Sequence, residues 1–169
     1  MTEKEKQELL DRVERDAARY ESELHGCGRC ALLSVARNLE LADDASIDAL
    51  LRAAMPLSGG IAGTKNQCGA LLGGIMAVGL AMVKSSPREP AIEERKASSA
   101  TAKQLYRRFE KEIGHVRCYD IRDAGLGRSF DSADPDEQKR FEEAGGYAFC
   151  SVVVGKAARM AAETILDSR

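Results

Sequence analysis

Apolar residues recur along this chain at three- and four-residue steps, with charged faces between them and breaks at glycine, proline and acidic clusters. From Glu3 to Leu24 the stripe is Leu9, Leu10, Val13, Ala17, Tyr20 and Leu24, which predicts an amphipathic helix. Gly26 and Gly28 interrupt it. A second helix follows from Cys27, carrying Ala31, Leu32, Val35, Ala36 and Leu39 and ending near Leu41. Asp43, Asp44 and Ser46 offer capping oxygens for a short third helix through Ala54, closed by Pro56 and Ser58-Gly59-Gly60.

The stretch from Cys68 to Met82 differs from the others, because it holds no charge until Lys84. Gly69, Gly73, Ala77 and Ala81 form one small-residue stripe with Gly74 beside it, while Leu72, Ile75, Met76 and Met82 lie opposite. Glycine inside a helix costs about 1 kcal/mol relative to alanine, and close approach of a neighbouring backbone offsets that cost. A helix apolar all round belongs in the middle of a bundle, so this one is expected to be the buried centre.

After a proline loop from Ser85 to Pro90, Leu105, Phe109 and Ile113 mark a fifth helix from about Ala97 to Ile113, with Gly114 as its cap. His115 to Asp120 reads as irregular chain, continuing as a loop through Gly125, Gly127 and Ser129 to Pro135. A short charged helix covers Asp136 to Ala144. The last helix runs from about Tyr147 to Leu166, and Val152-Val153-Val154 is too short to argue for a strand. The expected fold is all-α: a compact bundle of about six helices around the Gly/Ala-rich central helix. It forms a single domain over 1–169, with an N-terminal amphipathic helix (1–25) and a cysteine-bearing core (26–169).

Aromatic residues make up only 5% of the 169 residues and tryptophan is absent, which favours an aliphatic, closely packed helical core over a β-sandwich. A net charge of −2 argues against a general nucleic-acid binder. The charged start Met1–Glu8 has no apolar region of signal type, and Cys68–Val83 is shorter than the roughly 20 residues a membrane span needs. A cytoplasmic protein without stable membrane insertion is therefore expected. In that compartment thiols stay reduced, so five cysteines point to metal binding or redox chemistry rather than structural staples.

Each cysteine falls at a helix end. Cys27 and Cys30 open helix two and Cys68 opens helix four. Cys118 follows helix five, and Cys150 lies near the start of the last. If successive helices alternate in direction, as short connections favour, all five thiols gather at one end of the bundle. The amides at a helix start, with Arg29, Lys65 and Arg117 nearby in sequence, favour thiolates at Cys27, Cys30 and Cys68. The alternative for each is a small buried apolar side chain.

Other motifs weaken on inspection. Cys27-x-x-Cys30 lacks the βαβ frame of a thioredoxin-like site, Ala31 stands where haem attachment needs histidine, and no second CxxC completes a zinc ribbon. His25 and His115 are candidate extra ligands but are more simply solvated loop residues. The loop Gly59 to Lys65 lacks the preceding strand and Gly-Lys-Ser/Thr order of a phosphate cradle.

In Cys30, in Cys68-Gly69-Ala70-Leu71-Leu72-Gly73, and in the later single cysteines Cys118 and Cys150, the chain resembles the small redox-active proteins labelled C_GCAxxG_C_C. The glycine-rich approach Gly59-Gly60-Ile61-Ala62-Gly63 and the following Gly74 add to the likeness, which runs from about Gly26 to Leu166. Cys27 is additional to that pattern, and the segment between Cys118 and Cys150 is long and charged. The family is similar to the cysteine-bearing part of split-Soret cytochromes, where an iron–sulfur cluster accompanies haem; this chain has no haem attachment motif.

The resemblance implies a redox role with Cys30, Cys68, Cys118 and Cys150 as metal or cofactor ligands. An iron–sulfur cluster for electron transfer is the leading cofactor, with zinc or none as alternatives. A dithiol–disulfide reaction using Cys27 and Cys30, or Cys30 and Cys68, is the second reading. A non-enzymatic helical module with structural cysteines is the third. The expected partner is an unidentified redox partner, with a homo-oligomer as a further expectation.

Overall fold

Helix starts are set by local chemistry that the sequence displays. Thr2 and Glu5 form a reciprocal cap: the Thr2 hydroxyl accepts from the Glu5 amide at 3.2 Å, and the Glu5 carboxylate accepts from the Thr2 amide at 2.7 Å. Asp43 accepts from the Ser46 amide at 2.8 Å, and Asp134 caps a helix whose first residue is Pro135. The computed structural model describes residues 1–168, and among them the elements run α1 (Glu3–Leu24), α2 (Cys27–Asn38), α3 (Asp44–Ala54), a 3-10 turn (Met55–Leu57), α4 (Gly69–Met82), α5 (Ile92–Ile113), α6 (Cys118–Leu126), α7 (Pro135–Glu143) and α8 (Gly146–Asp167). The described residues contain no strand, only an isolated antiparallel bridge between Gln67 and Arg117.

The all-α expectation holds, but the helix count among the described residues is eight rather than about six. The segment read as irregular between His115 and Asp120 leads into α6. That helix is nine residues long, and only Cys118 and Ile121 are buried, too few to give a clear period. Helix α5 begins at Ile92, not near Ala97, because Glu93 and Glu94 sit favourably in its first turn. The Glu94 carboxylate also accepts from the amides of Lys84 and Ser85, tying the end of α4 to the start of α5.

The centre also differs from expectation. Helix α8, not α4, is the hub, packing against α1, α2, α4, α5, α6 and α7. Its buried side carries Val154, Ala157, Ala158, Met160, Ala161 and Ile165. Helix α4 turns Ala70, Leu71, Ala77 and Val78 inward, while Leu72, Ile75, Met76 and Leu80 stay half-buried. Hydropathy alone does not separate these sides, since the whole helix is apolar. Among the described residues no helix is long and apolar enough to cross a membrane.

The small-residue stripe of α4 serves the close packing expected of it. A β-carbon at Gly73 would run into the carbonyl of Gly28, so α2 and α4 meet backbone to backbone there, and Gly74 lies against Ala161 of α8. Two alanine substitutions in this one helix should therefore act in opposite directions. Gly79→Ala, with nothing within 4 Å of its added methyl, should stabilise by up to about 1 kcal/mol from helix propensity. Gly73→Ala should destabilise by about 1–3 kcal/mol through overpacking. Urea-unfolding midpoints of the two variants measure both.

Candidate functional site

Four elements each bring one thiol to the same place. Cys27 is the first residue of α2, Cys68 immediately precedes α4, Cys118 opens α6, and Cys150 lies in the second turn of α8. Cys68 and Cys118 are held side by side by backbone pairing: the Cys68 amide donates to the Val116 carbonyl at 2.8 Å, and the Cys118 amide donates to the Asn66 carbonyl at 2.7 Å. Before that pairing the chain coils through Gly59, Gly60, Ile61, Ala62 and Gly63, all with φ between 50° and 76°. This short left-handed turn is closed by bonds such as Lys65 amide to Gly59 carbonyl at 3.0 Å. A left-handed backbone costs roughly 1–2 kcal/mol at each non-glycine residue, so Ile61 and Ala62 hold strain at the edge of the site.

The four thiols of Cys27, Cys68, Cys118 and Cys150 line one cavity of about 580 Å³. Glu21 of α1 and Arg122 of α6 share its wall, and His25, Phe130, Phe141 and Tyr147 close one side. Arg122 Nη2 stands 4.0 Å from Cys150 Sγ, the guanidinium lies 4.4 Å from the centre of the Phe141 ring, and the buried Nε has no partner. The His25 ring packs on Tyr147 with centroids 4.3 Å apart. His115 is exposed and does not line the cavity.

Cys30 stands apart from this group. It is fully buried, does not line the cavity, and its Sγ faces the His25 carbonyl at 3.6 Å and the Glu21 carboxyl. Among the described residues no three His, Cys, Asp or Glu side chains converge closely enough to hold a metal ion. As arranged, the thiols ring a volume rather than a point.

The expectation that helix starts would favour thiolates is overturned by burial. Cys68 does have the Leu71 and Ala70 amides acting to lower its pKa, through their dipoles rather than a formed cap. Desolvation outweighs them and pushes the thiol up to about 12. Cys30 is likewise raised to about 12, first by burial and then by Glu21, against Arg29. Cys150 is raised to about 11 by burial, against Arg122. Burial also lifts Cys118 despite Arg122 and Lys65, and lifts Cys27 well above its ordinary value, with Cys68 and Glu21 adding to the effect. The site holds neutral thiols.

Two residues of this wall escape a reading based on cysteines. Glu21 continues the buried stripe Leu10, Val13, Ala17 at a four-residue step, so a charged residue on an apolar face is its visible signal. It is only 5% exposed, one carboxylate oxygen has no partner, and desolvation raises its pKa against Cys30, His25 and Arg122. Arg122 follows Cys118 by four residues, which places the two on one face only once α6 is known to be a helix.

The neutral thiols make stability depend on pH with a definite sign. Folded-state pKa values of about 12 at Cys30 and Cys68 lie above the unfolded value near 8.5. Their contribution is full below pH 8.5 and is lost as pH climbs toward 12. Each thiol should contribute a fall on the order of 1.4 kcal/mol per pH unit within that window. Chemical unfolding of the metal-free reduced protein between pH 8 and 11 should show the decline, with a shallower slope in Cys68→Ala.

No curated protein and no solved structure matches the chain. A family model does: the one described as "Putative redox-active protein (C_GCAxxG_C_C)" matches residues 25–164, a span that holds all five cysteines, the glycine-rich turn and Arg122. The chain therefore belongs to this C_GCAxxG_C_C family.

Proposed function

We propose that the protein transfers electrons through an iron–sulfur cluster held in the thiol cavity. The observation that carries this reading is that thiols from four separate elements line one cavity beside the guanidinium of Arg122. Thiolates are the ligands such clusters take. Thiols ringing a volume suit a polynuclear group better than a single ion such as zinc, for which no donor set converges among the described residues. Half-buried Arg122 places a fixed positive charge there with a buried, unpartnered Nε, and a cation partly withdrawn from water favours negative charge beside it. When bound, the cluster supplies a one-electron couple whose potential follows charge, hydrogen bonding and exposure.

The chain's own groups have separable roles. The cysteines give up their protons on ligation, so raised thiol pKa values oppose loading at low pH without preventing it at neutral pH. Phe130, Phe141 and Tyr147 keep water from one side of the cavity. Arg122 favours the more negative state of whatever Cys150 ligates.

A dithiol–disulfide reaction draws on the same residues, and Cys68 is the thiol whose charge Cys27 feels most. Its weakness is reactivity. A thiol with a pKa of about 12 is ionised in only about one copy in 10⁵ at pH 7, and the thiolate is the attacking species. A metal overcomes this barrier by displacing the proton, whereas exchange with a partner disulfide does not.

Anaerobic reconstitution with ferrous iron and sulfide tests the proposal. A coloured protein containing both elements is expected, and Cys68→Ser should lose them. A colourless, metal-free protein with every thiol still titratable would sink the reading, and a reversible two-hydrogen mass change after thiol trapping would favour the dithiol reaction instead. Arg122→Gln should keep the cluster and move its reduction potential to more negative values in voltammetry, since a cation beside it has been removed.

A further inference from the structure

The resemblance read from the sequence sets the family's first cysteine at Cys30, three residues after Cys27. We infer that in this chain Cys27 supplies the fourth thiol of the cavity and that Cys30 is a positioning residue, held at the end of α1 by the His25 carbonyl. The inference deepens the cluster reading and rests on it only for what the thiols hold.

Residues three apart on a helix point about 60° from one another and lie about 4.5 Å apart along the axis. Cys27 and Cys30 thus share a flank of α2, and their neighbours decide which one faces the cavity. At Cys27 the neighbours make room. Its sulfur sits in a notch over Gly69, where a β-carbon would stand 2.5 Å away, and the Gly59 amide reaches it from the left-handed turn. It lines the cavity and lies in the field of Cys68 and Cys150. The glycine directly after Cys68 thereby clears space both for this sulfur from another helix and for the Leu57 carbonyl, which stands as close.

At Cys30 the neighbours block the approach. The side chain is one turn deeper, with no exposure, and its thiol faces the His25 carbonyl and the Glu21 carboxyl. Glu21 itself lines the cavity, from which Cys30 is absent. A carboxyl on the apolar stripe of α1 is expensive to bury, and a thiol donor facing it supplies part of the compensation. The two cysteines of the Cys27-x-x-Cys30 motif therefore do different work: one faces the cavity, and the other anchors α2 to α1.

The test compares Cys27→Ser, Cys27→Ala, Cys30→Ser and Cys30→Ala after anaerobic reconstitution, with helicity measured first by circular dichroism. Both Cys27 variants should lose about tenfold or more of the bound iron and sulfide relative to the parent, whereas a folded Cys30 variant keeps most of it. Loss of iron from folded Cys30 variants, or retention in the Cys27 variants, overturns the assignment. A second arm uses the unmodified metal-free protein, a short pulse of iodoacetamide and peptide mass analysis. Cys27 should be alkylated before Cys30, and the reverse order overturns the inference. This arm stands even where the parent takes up no iron, an outcome that would remove the cluster reading and leave the roles of the two thiols decided by the labelling order.

Discussion

Backbone contact between α2 and α4 is the constraint on which the thiol end of the molecule depends. With Gly28 and Gly73 at the crossing, no side chain separates the two helices. That closeness brings the start of α2 level with the start of α4, and so brings Cys27 onto Gly69 and beside Cys68. A crossing held apart by even one methyl group would move Cys27 outward and open the cavity. The glycines of the CGAxxG segment are thus explained by steric demand: Gly69 admits the Leu57 carbonyl and the Cys27 sulfur, and Gly73 admits the Gly28 carbonyl.

Electrostatics at the site follow from a contest between two effects of one location. The start of a helix offers amides that favour a thiolate, but the start of a buried helix also removes the water that would solvate it. Here desolvation wins at every cysteine. The result is a set of protonated thiols around a cation, an arrangement that is chemically quiet until something displaces the protons. Glu21 is raised by the same desolvation, against the pull of Cys30, His25 and Arg122.

Much of the fold is legible in the sequence because long helices repeat their signals. The stripe of α1, the cap at Asp43 and the small-residue face of α4 are all visible there. Helix α6 is not, since nine residues with two buried positions leave almost no period. The hub escapes for a related reason. A wholly apolar helix looks central, yet the number of neighbours depends on topology, and α8 has more of them. At the site, the gathering of Cys68, Cys118 and Cys150 is foreseeable from helix ends. The separate positions of Cys27 and Cys30 are not, because they turn on the notch at Gly69 and on the His25 carbonyl at the end of α1, which the spacing of the motif does not reveal. Whether a helix start activates a thiol is equally hidden, because burial cannot be read from position along the chain alone.

The left-handed turn from Gly59 to Gly63 bears on how the site assembles. Ile61 and Ala62 adopt a backbone that neither residue prefers, and such conformations persist only when their surroundings over-determine them. What holds the turn is its own ring of bonds and the pairing of Asn66 and Lys65 with the chain at Cys118 and Tyr119. Releasing the Cys118 segment would remove part of that restraint and let the turn relax toward ordinary right-handed geometry, withdrawing the Gly59 amide from Cys27. The start of α2, the left-handed turn and the start of α6 are in this way joined by one set of backbone contacts at the edge of the cavity.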